Sequence, residues 1–180
     1  MISEKLLNEI DRGRLGLNHG ISMKLPKLEG IIDGVTRETY TLILSNPGAG
    51  KTSFALYAYV YRPLMEHLDD DDFKVLYFSL EMGEVALYIK LLSIYIFETY
   101  GVQLSFKKIL SREKEYILSE EHYDLVKQCM PWIDKISKKL EIFDKKVTPN
   151  KVYAILKTRL EEMGTFSESE TRLLYKPNNP

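Results

Sequence analysis

The sequence predicts an α/β fold with a mainly parallel sheet flanked by helices. Three observations carry that expectation. Apolar β-type runs alternate with helical runs along the 180 residues, the order that lays crossover helices over parallel strands. The run at 73–79 is nearly continuous in apolar residues, as a strand covered on both faces is. Between an earlier apolar run, Tyr40-Thr41-Leu42-Ile43-Leu44, and a helical one lies Ser45-Asn46-Pro47-Gly48-Ala49-Gly50-Lys51-Thr52. A glycine-bearing turn at that place opens a helix onto an anion.

The length fits one domain with a normal core. Apolar residues make up 44% and charged residues 28%, and the net charge is −1. That balance excludes a dedicated basic nucleic-acid module, but not an ATPase that touches DNA through a few loops. The single cysteine, Cys129, cannot form an internal disulfide, so a reducing, cytoplasmic compartment is expected. The start carries no apolar core of signal-peptide length. No run approaches the ~18 apolar residues of a membrane span, and no membrane partner is expected.

In chain order, residues 3–12 predict a short amphipathic helix with Leu6, Leu7 and Ile10 on one face. Gly13, Gly16 and Gly20 make 13–20 an arm, so 1–20 is read as a linker helix and arm ahead of the main domain, 21–163. Pro26, Gly30 and Gly34 punctuate 21–38, where Leu25, Leu28, Ile31 and Ile32 suit a short helix. A strand at 39–45 and a helix at 51–67 come next, followed by the acidic run Asp69 to Asp72, a solvated loop. The strand 73–79 leads to a helix over 84–100 that stops at Gly101. A short helix is expected at 105–112. A longer one covers 119–139, with Ser119 as its N-cap and Pro131 kinking or breaking it. Leu140-Glu141-Ile142-Phe143 is a third strand, and Thr148-Pro149 opens a helix that runs to Met163. The segment 164–180 reads as an irregular polar tail leading toward a strand that the chain does not show.

The chemistry of the glycine loop requires its residue types. Gly48 and Gly50 admit backbone conformations closed to residues with a Cβ. Several N–H groups, from Asn46, Gly48, Ala49 and Gly50 through Lys51, Thr52 and Ser53, then converge on one anion at the positive end of a helix. Pro47 and Ser45 complete the turn. A strict phosphate loop starts with glycine, and here a small residue, Ser45, holds that place. Lys51 supplies a point charge to the terminal phosphates of ATP, and the Thr52 hydroxyl supplies a ligand for Mg²⁺.

The strand 74–79 ends in Ser79-Leu80-Glu81-Met82. Ligands of open α/β sheets sit beyond the carboxyl ends of strands, so Glu81 is a candidate to activate water for attack on the γ-phosphate. Equally, it is an acidic residue favoured near a helix N-terminus.

Val75-Leu76-Tyr77-Phe78-Ser79-Leu80-Glu81-Met82 resembles the segment that follows the phosphate loop in DnaB-type replicative helicases, members of the RecA-like ATPase superfamily. Ser45 to Leu56 resembles their first helicase motif. Gly20-Ile21-Ser22 and the run Leu25 to Val35 resemble their lead-in, and Leu140 to Asp144 with Thr148-Pro149 resembles their third strand and the helix after it. The closest likeness is to phage-encoded or divergent bacterial members. The resemblance implies an incomplete RecA-like fold and an ATP-driven motor that translocates on single-stranded DNA as a homo-hexamer. It implies that Lys51 and Thr52 bind phosphate and Mg²⁺ and that Glu81 is the catalytic glutamate.

The family's next element is an apolar strand ending in the aspartate that positions Mg²⁺. The nearest internal candidate is Asp144, although its strand matches an earlier one of the family better. The DNA-contacting loops and the arginine finger find no counterpart either, so the chain is expected to be the front half of a larger motor, marginal alone or associating with itself. Residues 1–14 correspond either to a linker helix that docks on a neighbouring subunit or to a helix packed on its own domain. His19, His67 and His122 offer no zinc spacing. The tyrosines at 57, 59, 61, 88 and 95 suit packing beside a sheet, and Lys135, Lys138, Lys139, Lys145 and Lys146 suit a solvated face. The alternatives are a RecA-like ATPase of another branch, a small-molecule phosphotransferase, and a non-catalytic nucleotide-binding protein.

Overall fold

The computed structural model of the chain describes residues 2–36, 39–169 and 172–178. Helix α1 (Ile2–Arg14) buries none of its residues. Helix α2 (Pro26–Glu29) lies inside a loop closed by an antiparallel bridge between Ile21 and Val35. A Cβ on Gly34 would stand 2.3 Å from the Ile21 carbonyl oxygen, so the closing crossing requires glycine there.

One continuous helix follows the glycine loop. It begins as α3 (Lys51–Ala55), widens into a π turn (Leu56–Tyr61) and ends as α4 (Arg62–Glu66). Pro63 accounts for the widening. It has no N–H to give to the carbonyl four residues back, and its ring crowds that carbonyl. The turn before it loosens, and the Arg62 N–H reaches back to the Tyr57 carbonyl, at π spacing.

Strand β1 (Val75–Phe78) pairs in parallel with β2 (Leu140–Phe143), in a register running from Val75–Leu140 to Phe78–Phe143. Four helices form the crossover between them: α5 (Glu84–Tyr100), α6 (Phe106–Ile109), α7 (Glu120–Gln128) and α8 (Met130–Ser137). Gly101, at φ 69°, ends α5 as the sequence predicts, and the Ser119 hydroxyl caps α7 by accepting the His122 N–H. Pro131 breaks the expected 119–139 helix at Cys129. Thr148 caps α9 (Pro149–Met163).

Helix α5 joins the two parts of the core. Leu87 and Leu91 pack with Leu56, Val60, Tyr61 and Leu64 from the loop-bearing helix, with Trp132 and Ile136 of α8, and with Leu140 of β2. Leu92 and Ile96, farther along, pack with Leu104 and Cys129. Tyr95 stacks on Trp132 at a ring distance of 4.0 Å, and the Tyr88 hydroxyl donates to the Leu140 carbonyl at 3.1 Å. Burial raises the Cys129 thiol pKa, which keeps the group protonated and inert.

Two expectations are corrected. Residues 39–45 do not form a strand; Tyr40, Leu42 and Leu44 are 87%, 64% and 81% exposed. The apolar run has the composition of a strand, but a strand needs a ladder. β1 is paired on one side with β2, and among the described residues no strand lies alongside 39–45. The supposed irregular tail is instead an antiparallel hairpin of β3 (Gly164–Ser169) and β4 (Arg172–Pro177). Alternation of side chains there is weak, which is why composition hides it, but Phe166 packs on Tyr175 at a ring distance of 5.1 Å. The glutamate inside the third strand is also accounted for: Glu141 Oε2 accepts from Arg159 Nε of α9 at 3.0 Å.

Leu91 is fully buried whereas Leu6 is 61% exposed. Leu91→Ala is expected to cost ~2–5 kcal/mol in urea denaturation, and Leu6→Ala no more than ~0.5 kcal/mol. The Tyr61 phenol is held well above its ordinary pKa of 10.0, chiefly by burial and then by the Glu98 carboxylate. The folded protein therefore keeps a proton that the unfolded chain releases above pH ~10. Stability is expected to be unaffected by this group at neutral pH and to fall as pH rises through that range. Tyr61→Phe should flatten the alkaline decline of the melting temperature.

Candidate phosphate-binding site

The loop from Ser45 to Gly50 is built by local chemistry alone. The Ala49 N–H donates to the Asn46 carbonyl at 3.3 Å, closing the turn that Pro47 enters. Gly48 and Gly50 take φ values of 79° and 90°, and a Cβ on either would meet nothing within 4 Å. The glycines are thus required by conformation, and the space on their outer side is open. Gly50 stands at the N-cap of α3, and its carbonyl accepts the Phe54 N–H at 2.9 Å. The glycine turn thus stands at a helix start, and residues 39–45, which lead into it, form no strand.

Lys51 folds back over the loop. Its Nζ donates to the Ser45 carbonyl at 2.9 Å and to the Asn46 carbonyl at 3.4 Å. Among the described residues no carboxylate pairs with it. A cation held only by neutral carbonyls, beside an open loop of backbone N–H groups, has the chemistry of an anion site. Thr52 is half-buried and Ser53 exposed beside it. No group of three or more His, Cys, Asp or Glu side chains among the described residues is placed to hold a metal ion. A Mg²⁺ ion would therefore depend on the Thr52 hydroxyl together with phosphate oxygens and water, the usual mode for this ion.

Glu81 lies in an exposed bend beyond the carboxyl end of β1. The Tyr77 phenol is raised in pKa by burial and secondarily by the Glu81 carboxylate. No hydrogen bond or ion pair joins Glu81 to Lys51. The structure thus gathers Ser45, Asn46, Gly50 and Lys51 into one unit, which Glu81 does not join through a hydrogen bond or ion pair.

Asp144, considered above as a Mg²⁺-side aspartate, has its Oδ2 engaged with the Glu84 N–H at 3.0 Å. The acidic run and the lysines at 135, 138, 145 and 146 are exposed, as expected, and Lys135 and Lys139 reach the run. Lys135 Nζ lies 2.6 Å from Asp69 Oδ1, which keeps that carboxyl below its usual pKa. The Lys139 Nζ, on a residue only 7% exposed, donates to the Asp70 carbonyl. His67 contacts Asp70 at 3.3 Å and stacks on Phe73. No helix among the described residues is long and apolar enough to cross a membrane.

Sequence reasoning missed the turn that follows β1. Ser79, 6% exposed, both donates to the Met82 carbonyl at 2.6 Å and accepts the Met82 N–H at 3.1 Å. A serine at a strand end five residues before a helix start is the available signal.

In comparison with known proteins, no curated protein and no solved structure matches the chain. The family model described as DnaB-like helicase C-terminal domain matches residues 20–157. That span contains the loop, Lys51, the bend with Glu81 and both strands of the parallel pair, and it exceeds half of the chain: the chain belongs to the DnaB-like helicase C-terminal domain family.

Proposed function

We propose that the chain carries the nucleotide-binding part of an ATP-dependent replicative DNA helicase motor. The observation that carries this reading is the Lys51 ammonium, held by the carbonyls of Ser45 and Asn46 at the mouth of an open glycine loop, within a chain of this helicase family. In this reading the amides of 46–53 and the Lys51 charge bind the phosphates of ATP, with Lys51 exchanging its carbonyl partners for phosphate oxygens. Mg²⁺, held by Thr52 and the phosphates, neutralises charge that develops on them. Glu81 orients the attacking water and accepts its proton.

The finer assignments follow from the same reading. The working assembly is a homo-hexamer on single-stranded DNA in the cytoplasm, its DNA contacts made by parts not assigned in this chain. The apolar residues Leu6, Leu7 and Ile10 of α1 are all exposed, which favours docking of α1 on a neighbouring copy over packing on its own domain.

Lys51→Ala is expected to weaken ATP binding at least ~10-fold in a calorimetric titration. Glu81→Gln should leave the dissociation constant within about twofold and lower turnover by ~10²–10⁴. Equal loss of binding in both variants would overturn the role of Glu81. ATP binding with no turnover in either the unaltered protein or Glu81→Gln would leave a non-catalytic nucleotide-binding protein, and an acceptor-dependent rate without any effect of DNA would favour a phosphotransferase.

A further inference from the structure

The bend that carries Glu81 is held at both ends by side chains to which the nucleotide reading gives no task. The parallel register ends at the pair Phe78–Phe143, and one more ladder bond follows, from the Ser79 N–H to the Phe143 carbonyl at 2.9 Å. This puts Ser79 and Asp144 side by side at the carboxyl end of the sheet. Ser79 closes the near side of the bend through its two bonds to the Met82 backbone. Asp144 closes the far side, where its Oδ2 accepts the Glu84 N–H at 3.0 Å. A Cβ on Gly83 would lie 3.6 Å from that same oxygen, so the carboxylate sits against the chain where α5 begins. Gly83 itself, at φ −70° and ψ 158°, is the N-cap of α5 and offers no side-chain cap. A carboxylate delivered from β2 replaces it, satisfies one free helix N–H and opposes the positive end of the helix dipole.

We propose that Asp144 is a positioning residue for Glu81: by capping α5 from the neighbouring strand, and with Ser79 pinning the near end, it fixes the bend 80–83 and thereby the place at which the Glu81 carboxylate is presented. The proposal rests on the reading of Glu81 as the group that activates water. It assigns Asp144 a task other than binding Mg²⁺. It also gives the ladder between β1 and β2 a functional consequence, because only this register sets the aspartate of one strand beside the serine of the other.

The test uses the full chain and the variants Asp144→Ala, Asp144→Asn and Ser79→Ala, each also in a Glu81→Gln background. The first readout is hydrogen exchange of the backbone amides of 82–87, with 130–137 as an internal reference. Asp144→Ala is expected to speed exchange at 82–87 about fivefold, as loss of one cap implies, and to leave 130–137 unchanged. Asp144→Asn, which keeps an acceptor oxygen, should restore most of the protection. The second readout is ATP turnover. Asp144→Ala and Ser79→Ala should each lower kcat about tenfold, with KM for ATP within about twofold. The Mg²⁺ concentration for half-maximal rate should not change, and in the Glu81→Gln background neither variant should cause a further loss.

Unchanged exchange at 82–87 in Asp144→Ala would overturn the proposal, as would equal losses of turnover with and without Glu81. A raised Mg²⁺ requirement would overturn it in favour of a metal ligand. Absence of ATP binding to the unaltered chain, with the exchange effect intact, would overturn the nucleotide reading while upholding the hold of Asp144 on the bend.

Discussion

Four residue pairs, Val75–Leu140 through Phe78–Phe143, join segments separated by the whole α5–α8 region, and the remaining packing follows from them. A slip of one residue would exchange the faces of β2, turning Leu140 out of the core and Glu141 in. In the observed register Leu140 meets Leu87, Leu91 and Ile136, while Glu141 meets Arg159. The stacked rings of Phe78 and Phe143, 4.7 Å apart, close the last rung. The same register closes the crossover, so α5 is enclosed between the loop-bearing helix and α8, and the Tyr95–Trp132 stack forms within that enclosure.

The elements most legible in the sequence are those whose signals are local. Gly101 at positive φ, Ser119 and Thr148 as caps and the break at Pro131 depend on a few consecutive residues, and they appear where residue chemistry puts them. The glycine loop is legible for the same reason: its turn, its two left-handed glycines and the fold-back of Lys51 are completed within seven residues. The less legible parts are those that need a distant partner. Residues 40–44 have strand composition and no ladder. The paired strands Gly164–Ser169 and Arg172–Pro177 have a ladder with little strand composition. The contact of Asp144 with the Glu84 N–H spans sixty positions, and no pattern along the chain announces it. Pro63 did carry a local signal, since a proline inside a helical run must disturb the turn before it, and the π turn is that disturbance.

The acidic loop and the lysine cluster are solvated as their composition suggests, with Lys139 as the exception. Four consecutive aspartates and a scatter of lysines suggest two solvated faces. In the fold, Lys135 and Lys139 on and after α8 reach the 69–70 segment, one to a carboxylate and one to a backbone carbonyl. The lysine that is nearly buried is the one bonded to the carbonyl, as expected where a charged group must keep a hydrogen-bond acceptor on leaving water. These contacts tie the loop before β1 to the residues just before β2, outside the ladder itself.

The unladdered segment beside the glycine loop has a colloidal consequence. From Thr39 to Gly50 the chain carries no charged side chain, and its first half is rich in β-branched and aromatic residues. Such an exposed window, with charges at its leading edge (Arg37 and Glu38), has the composition that favours cross-β stacking. Pro47 and the glycines interrupt that tendency only after Leu44. The residues that lead into the proposed nucleotide site therefore also expose apolar side chains, Tyr40, Leu42 and Leu44, whose covering opposes self-association.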